Sequence, residues 1–450
     1  MPFPRTPWLL VWFPALLAAQ RPGASTGAAA GTAVDRQRVA AGFWAEARYN
    51  YAYWDAVRAN WDSAFAATLS YVGERPAPTD VQFVRRLRRW GALLNDGQCE
   101  LLPPPSIAGR VARPPLGLKS IERRPFIMDY ASNDEMRVAR PERLAEILAV
   151  QGVPAADWIR DSVLPEISAG TALSRWERAV ARMLEGERGT ALHLLLRLPG
   201  GEERGASVTR SVPLTARWPL EPPAFEADTL PDGAIWIRIS SFAGADVPER
   251  FARALGGAAR EGPRHRGLIL DLRETTWTAG GRENGYAILA RVIEKPFLTS
   301  RWRTPQYRPA YRGADSPDSS GAWLQAPSDT IWPLARRDGI PYTGPVAVLV
   351  SARTAGPAED FLVAFRTGNR GVIIGESSAG STGQTTVVPL PMSWQLRVTV
   401  TRDAFPDGRE FAQTGIAPDF QVEAQVNDVL AGRDAVLERA RAYLTELARR

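Results

Sequence analysis

The chain reads as a multi-domain α/β protein, α+β overall: a helical start, a β-rich middle unit and a core built on a largely parallel sheet. Three observations predict this. Continuous apolar runs bounded by Gly or Pro recur in the second half, at Ala234 to Ile239, Gly267 to Leu272 and Pro345 to Val350, the mark of strands buried on both faces. Between and after them Val247 to Arg260, Gly285 to Glu294 and Ala358 to Arg366 continue the strand–helix alternation that a parallel sheet with crossovers requires, with Gly371 to Gly375 as a further strand. The 450 residues, 45% hydrophobic and 23% charged, suffice for two or three domains.

Composition sets the outer bounds. The net charge of +6, from 55 Lys and Arg against 49 Asp and Glu, is almost wholly arginine, since lysine occurs only at Lys119 and Lys295. No basic run carries interleaved aromatics, so a solvated arginine-rich surface accounts for the charge and nucleic-acid binding is not expected. Residues 1–30 begin with Arg5, an apolar run from Trp8 to Ala19 and then small residues. That run is too short for the roughly 20 residues a membrane span needs, so a secretory signal peptide cleaved between Ala18 and Ala30 is expected, and an extracytoplasmic (periplasmic or secreted) protein with no stable membrane span. The alternative is a retained anchor. The solitary Cys99 has no internal disulfide partner, and no His/Cys/Asp cluster has metal-ligand spacing, so neither metal nor cofactor is expected.

From 31–109 the pattern is helical. Phe43, Trp44, Tyr51, Trp54, Trp61 and Phe65 are spaced as helix faces that pack on one another, and Thr79-Asp80 starts another amphipathic helix ending at Leu94. Residues 110–216 form a second unit. Leu192, Leu194 and Leu196 alternate up to a Pro199-Gly200-Gly201 turn, which predicts a hairpin, with His193 in it as a surface or packing residue and not a ligand. A proline-rich joint, Trp218 to Phe225, opens the α/β core at 217–426, and a helix from Asn427 to Leu447 within 427–450 closes the chain. In the core, Val346 to Val350, the turn Ser351 to Gly356 and a helix opened by Pro357 place turn residues at the carboxyl edge of a sheet beside free helix amides. That is where an α/β enzyme keeps a nucleophile and an oxyanion site.

The string Thr354-Ala355-Gly356-Pro357-Ala358-Glu359-Asp360-Phe361 resembles the nucleophile segment T-x-S-A-A-E-x-F of the tail-specific, or C-terminal processing, serine peptidases. Leu268 to Gly281 is similar to the L-I-x-D-L-R-x-N-x-G-G strand and loop of that family, Gly371 to Gly380 to its V-x-x-V-G-E-x-T-x-G segment, and Asp407 to Phe420 to its D-G-x-x-x-E-G-x-G-V-x-P-D closure. Leu94 to Cys99 resembles the L-G-D-G-H-T of the tricorn-like and retinoid-binding-protein-like branch, and Leu144 to Pro154 with Gly189 to Arg210 resembles a PDZ-like domain. The resemblance implies a serine-type peptidase scaffold whose partners are peptides or unfolded protein tails.

The resemblance also marks what this chain has replaced. The catalytic serine position is Gly356, the histidine position Gln98 and the supporting glutamate position Ala412. Of the oxyanion amides, Gly280 and Gly281 follow a lengthened loop, and Pro357 stands where the family amide should be and has no N–H. The family's other arrangement uses a lysine some 25 residues after the serine, and no lysine follows Lys295. Glutamine cannot act as a base near neutral pH. Loss of a triad member costs about 10⁴- to 10⁶-fold in rate, so a degenerate peptidase acting by peptide or protein-tail binding is expected. Two alternatives stay open. One is an active peptidase with a shifted nucleophile, drawn from Thr354, Ser351, Ser377, Ser378, Ser381 or Cys99, for which His265 and His193 offer no obvious base. The other is apolar small-molecule binding in a pocket lined by some of the 15 tryptophans.

Overall fold

A computed structural model describes residues 31–131, 142–260, 267–275, 281–306, 323–334 and 342–448. The expected signal peptide, His265 and Gly280 lie outside these residues. Among those described, no helix is long and apolar enough to cross a membrane.

The core is a six-stranded sheet in the order Phe225–Thr229, Ala234–Ile239, Gly267–Asp271, Val346–Val350, Val372–Gly375 and Phe420–Gln421. The first pair is antiparallel and all later pairs are parallel. Because side chains alternate across a strand, each apolar run serves two cores. Leu268, Leu270, Val346, Val348 and Val350 meet the helices Val247–Arg260, Arg282–Leu289 and Pro357–Thr367, while Ile269, Ala347, Leu349 and Ile374 meet Val436, Ala440 and Leu444 of the last helix. A sheet covered on both faces explains why its strands carry no polar alternation.

One expectation is corrected at the carboxyl end. Instead of a single helix there are two, Val426–Leu430 and Ala435–Ala448. Asp434 starts the second one: its carboxylate accepts from the Leu437 amide at 3.1 Å, a cap that turns the chain in a new direction.

The middle of the chain builds an antiparallel sheet ordered Leu116–Ile121, Arg124–Tyr130, Ala145–Val150, Ala191–Arg197 and Glu203–Thr209, closed by the helix Ala172–Arg182. Leu192, Leu194 and Leu196 are buried and His193 between them is exposed. Arg197 pairs with Glu203 across the expected turn.

The amino-terminal helices Ala33–Asn50, Trp61–Val72 and Asp80–Gly91 pack around an aromatic knot in which Phe43 lies 5.3 Å from Trp61 and 4.6 Å from Trp90. A hairpin from the core enters this knot. Trp394, 2% exposed, stands edge-on to Phe83 at 5.6 Å, and the strand Glu100–Leu102 pairs with Gln395–Thr399. The segment just before Glu100 is thereby carried onto the core. Removing the anchor should loosen this attachment: Trp394→Ala is expected to cost about 3–5 kcal/mol in urea unfolding, and a cost under about 1 kcal/mol would show that the hairpin does not hold the helices.

A candidate peptidase site with its reactive groups replaced

The turn after Val346–Val350 is tied down at each residue. Thr354 donates its hydroxyl to the Leu272 carbonyl at 2.8 Å and accepts from the Ser351 amide at 3.0 Å, and its own carbonyl accepts from the Ala379 amide. Its side chain is fully buried and both hydrogen-bonding functions are engaged, so Thr354 is a turn residue and not a substitute nucleophile. Gly356 follows with φ 57° and ψ −120°. L-residues avoid that conformation, and it is the sharp strand-to-helix elbow on which α/β hydrolases raise a nucleophile. At this elbow there is no side chain.

The helix beyond the elbow offers no free amide in its first turn. Pro357 has none, Ala358 donates to the Ala355 carbonyl at 3.3 Å, and Glu359 donates to the Gly356 carbonyl at 2.8 Å. Gly281, with φ 89°, precedes the helix Arg282–Leu289, which packs on Pro357–Thr367.

Gly356, Gln98 and the residue after Ala412 meet on one segment, Gly380 to Gly383. The Gly356 amide donates to the Ser381 carbonyl at 2.9 Å, the Gln98 Nε2 to the Gly383 carbonyl at 3.2 Å, and the Gln413 amide to the Gly380 carbonyl at 2.8 Å. Gln98 is 4% exposed, its amide group spent on the backbone; Ala412 is half-buried against the amino-terminal core. Between them sits Ser381, whose Oγ accepts from the Gly97 amide at 3.1 Å. A Cβ at residue 97 would run into the Ser381 Oγ and the Arg178 guanidinium, so a larger residue there would push both side chains aside.

Sequence reasoning placed Ser381 only among nearby hydroxyls and passed over Glu359. The signal for Ser381 was its position, 25 residues after Gly356, the spacing at which one branch of the resembling family carries lysine. Glu359 stands within the elbow motif itself. Its buried carboxylate accepts from the Ser378 hydroxyl at 2.5 Å, the Gly380 amide at 2.8 Å and the Ser381 amide at 3.0 Å, clamping the segment to the helix. Burial pushes it up to about 7 although the three donors pull the other way.

Hydroxyl–carboxylate pairs exist nearby, but each is sealed. Ser378 with Glu359, Thr399 with Asp96 and Ser300 with Asp360 all have side chains no more than 5% exposed. Cys99 is buried against Asp96 and Thr399, and its thiol is pushed up well above the usual range, first by burial and then by the Asp96 charge. A thiol in that state is inert as a nucleophile. Behind the elbow Arg282 joins Asp360 at 2.8 Å and Asp403 at 2.7 Å; burial, with Asp403 beside it, raises Asp360 against the pull of Arg282. Among the described residues no group of three or more His, Cys, Asp or Glu is arranged to hold a metal ion.

A largely parallel sheet covered on both faces, with a sharp elbow at the carboxyl end of a central strand and a glutamate-clamped loop against it, is an α/β scaffold of the kind serine hydrolases use. Residues 234–422 match the model of peptidase family S41. The chain is 25% identical over 381 residues to the chloroplastic C-terminal processing peptidase of Tetradesmus obliquus, an alignment covering 82% of this chain and 74% of that one. A carboxy-terminal-processing protease of Bartonella bacilliformis is 31% identical over 93 residues, 21% of each chain. Among solved structures, mature CPAF complexed with lactacystin superposes with a TM-score of 0.71 at 15% identity, covering 92% of this chain and 98% of the other, a likeness of fold.

The buried acids set a pH dependence. Glu359 and Glu177 are both raised from 4.5 to about 7, chiefly by burial. Each binds its proton more tightly folded than unfolded, so the stability it contributes is fully present below pH 4.5 and is lost as pH rises through about 7. Urea unfolding should therefore show stability falling across this window, by up to about 1.4 kcal/mol per pH unit for each group, and Glu359→Gln should remove one group's share of the slope. Stability that rises over the same window would contradict the assignment.

Proposed function

We propose that the chain is an exported S41-family protein that has lost hydrolysis and works by binding peptides or unfolded protein tails. The observation that carries the proposal is the junction at Gly380 to Gly383, where the elbow presents Gly356, the family base position presents a buried Gln98, and Ala412 offers no carboxylate. Hydrolysis needs an oxygen or sulfur nucleophile, a base in reach and oxyanion donors together. Gly356 supplies no nucleophile, Gln98 no base and the first turn of the following helix no free amide, whereas the elbow backbone is in place.

The rest of the chain supports binding. We read residues 31–109 as a helical region, 110–216 as a PDZ-like domain and 217–426 as the peptidase-like core. In the second unit Leu116–Ile121 is an edge strand flanked by the helix Ala172–Arg182, the arrangement by which a sheet accepts an extended peptide as an added strand. Export rests on Arg5 and the apolar run Trp8 to Ala19.

The other readings draw less support. Among the candidates for a shifted nucleophile, Thr354, Ser378 and Cys99 are buried, and the hydroxyls of Thr354, Ser378 and Ser351 donate to the Leu272 carbonyl, the Glu359 carboxylate and the Arg273 carbonyl. For an apolar ligand, a cleft of about 400 Å³ beside Phe83 and Trp394 has Asp35, Arg36, Asp80 and Arg110 on its walls. Fluorescence anisotropy of a labelled unstructured peptide, followed by mass spectrometry of the recovered peptide, tests the proposal. Saturable binding with the peptide recovered intact is expected; cleavage, or no binding of any unstructured peptide, would sink it.

A further inference from the structure

A cleft of about 200 Å³ lies where the second unit meets the core. Its walls include Lys119 and Ser120 of the edge strand Leu116–Ile121, Leu173 and Glu177 of the helix Ala172–Arg182, and Ser351, Arg353 and Glu376 at the carboxyl ends of two core strands. It therefore touches the strand and helix that would hold an added peptide, and also the start of the elbow turn.

Glu177 is the unusual group in it. The side chain is 8% exposed, lines the cleft, and among the described residues has neither a hydrogen bond nor an ion pair within 4.0 Å. Lys119 and Arg353 pull on it only at longer range, because both are engaged by Glu274, at 3.8 and 3.3 Å. Arg273, also in the wall, is held by Asp271 at 2.6 Å and Asp434 at 2.8 Å. Glu376 adds a second carboxylate with no cationic partner, holding one backbone hydrogen bond from Ala352. Arg123 is an exposed cation at the rim. Lys119, Arg353 and Arg273 thus answer acids outside the cleft; of its four carboxylates, Glu122 pairs with Arg124 at 3.9 Å and Glu423 accepts from Gln421 at 3.0 Å, while Glu177 and Glu376 have no ion pair among the described residues.

A buried carboxylate without a partner is costly, and a folded protein retains one where something else satisfies it. We propose that this cleft takes the cationic side chain, lysine or arginine, of a polypeptide lying along the edge strand, with Glu177 as its principal counter-ion and Glu376 as the second. The volume suits a four-carbon stem and its charged head, and the polar ends of Ser120 and Ser351 are there to accept further hydrogen bonds. Burial holds Glu177 up to about 7, and a cation seated beside it would pull it back down. The inference deepens the peptide-binding reading and rests on it.

The test uses unstructured peptides in which a single lysine is moved along a neutral sequence, each with a norleucine control, and n-butylamine as a probe that needs no peptide. At one position lysine should tighten binding about tenfold over norleucine, and Glu177→Gln should bring that peptide down to the norleucine level. Saturation-transfer NMR should show n-butylamine binding to the parent and not to Glu177→Gln. If peptides bind but lysine gains nothing at any position, the cation site is wrong and the peptide-binding reading stands. If no peptide binds while n-butylamine binds in a Glu177-dependent way, the peptide reading fails and the cation site survives. Failure of both probes overturns both.

Discussion

The carboxylate of Glu359 is the contact on which the rest of the site depends. It sits in the first turn of the helix that follows the elbow and takes three hydrogen bonds from the loop between Ser378 and Ser381. That loop in turn receives the Gly356 amide, the Gly97 amide and the Gln413 amide. Without the clamp, the amino-terminal region, the elbow and the closure segment would have no shared surface to meet on. Burial raises the carboxylate's proton affinity, so the clamp is a buried acid held by directed hydrogen bonds and not by a salt bridge. Such a network fixes one geometry because any other arrangement leaves its members unpaired.

This frame carries a glycine at its elbow. Gly356 keeps a backbone conformation that suits a raised nucleophile, and as glycine it does so without the roughly 1–3 kcal/mol strain an L-residue would bear there. Gln98 occupies a buried place where a base would stand, with its amide committed to Gly383. The replacements at both positions fit their surroundings. They read as settled parts of the structure.

Much of the architecture was legible because its causes are local. Unbroken apolar runs with Gly and Pro boundaries specify strands buried twice over, and the period-two leucines around His193 specify a hairpin with one wet face. Gly356, Gln98 and Ala412 were singled out by motif strings, which name positions directly. The site was not legible in its connections. That Ser381 stands between Gly356 and Gly97 depends on a contact between residues 284 apart in sequence. No local pattern carries such a contact. Glu177 was missed for a similar reason: on the helix Ala172–Arg182 it is one charged residue among several, and only the approach of the core seals it without a partner. The last helix was misjudged at its start because an aspartate in a polar stretch caps only when the chain turns there.

The central claim is that the scaffold is intact and its chemistry absent, and turnover of an unfolded protein substrate tests it most directly. The purified chain would be compared with a variant carrying Gly356→Ser, Pro357→Ala and Gln98→His, which returns the hydroxyl, the amide and the base to the positions the fold still holds. No cleavage by the parent and measurable cleavage by the variant is the predicted result. Cleavage by the parent itself would contradict the claim; a rate undiminished by Gln98→Ala and Ser381→Ala would further place the nucleophile outside the elbow and its loop.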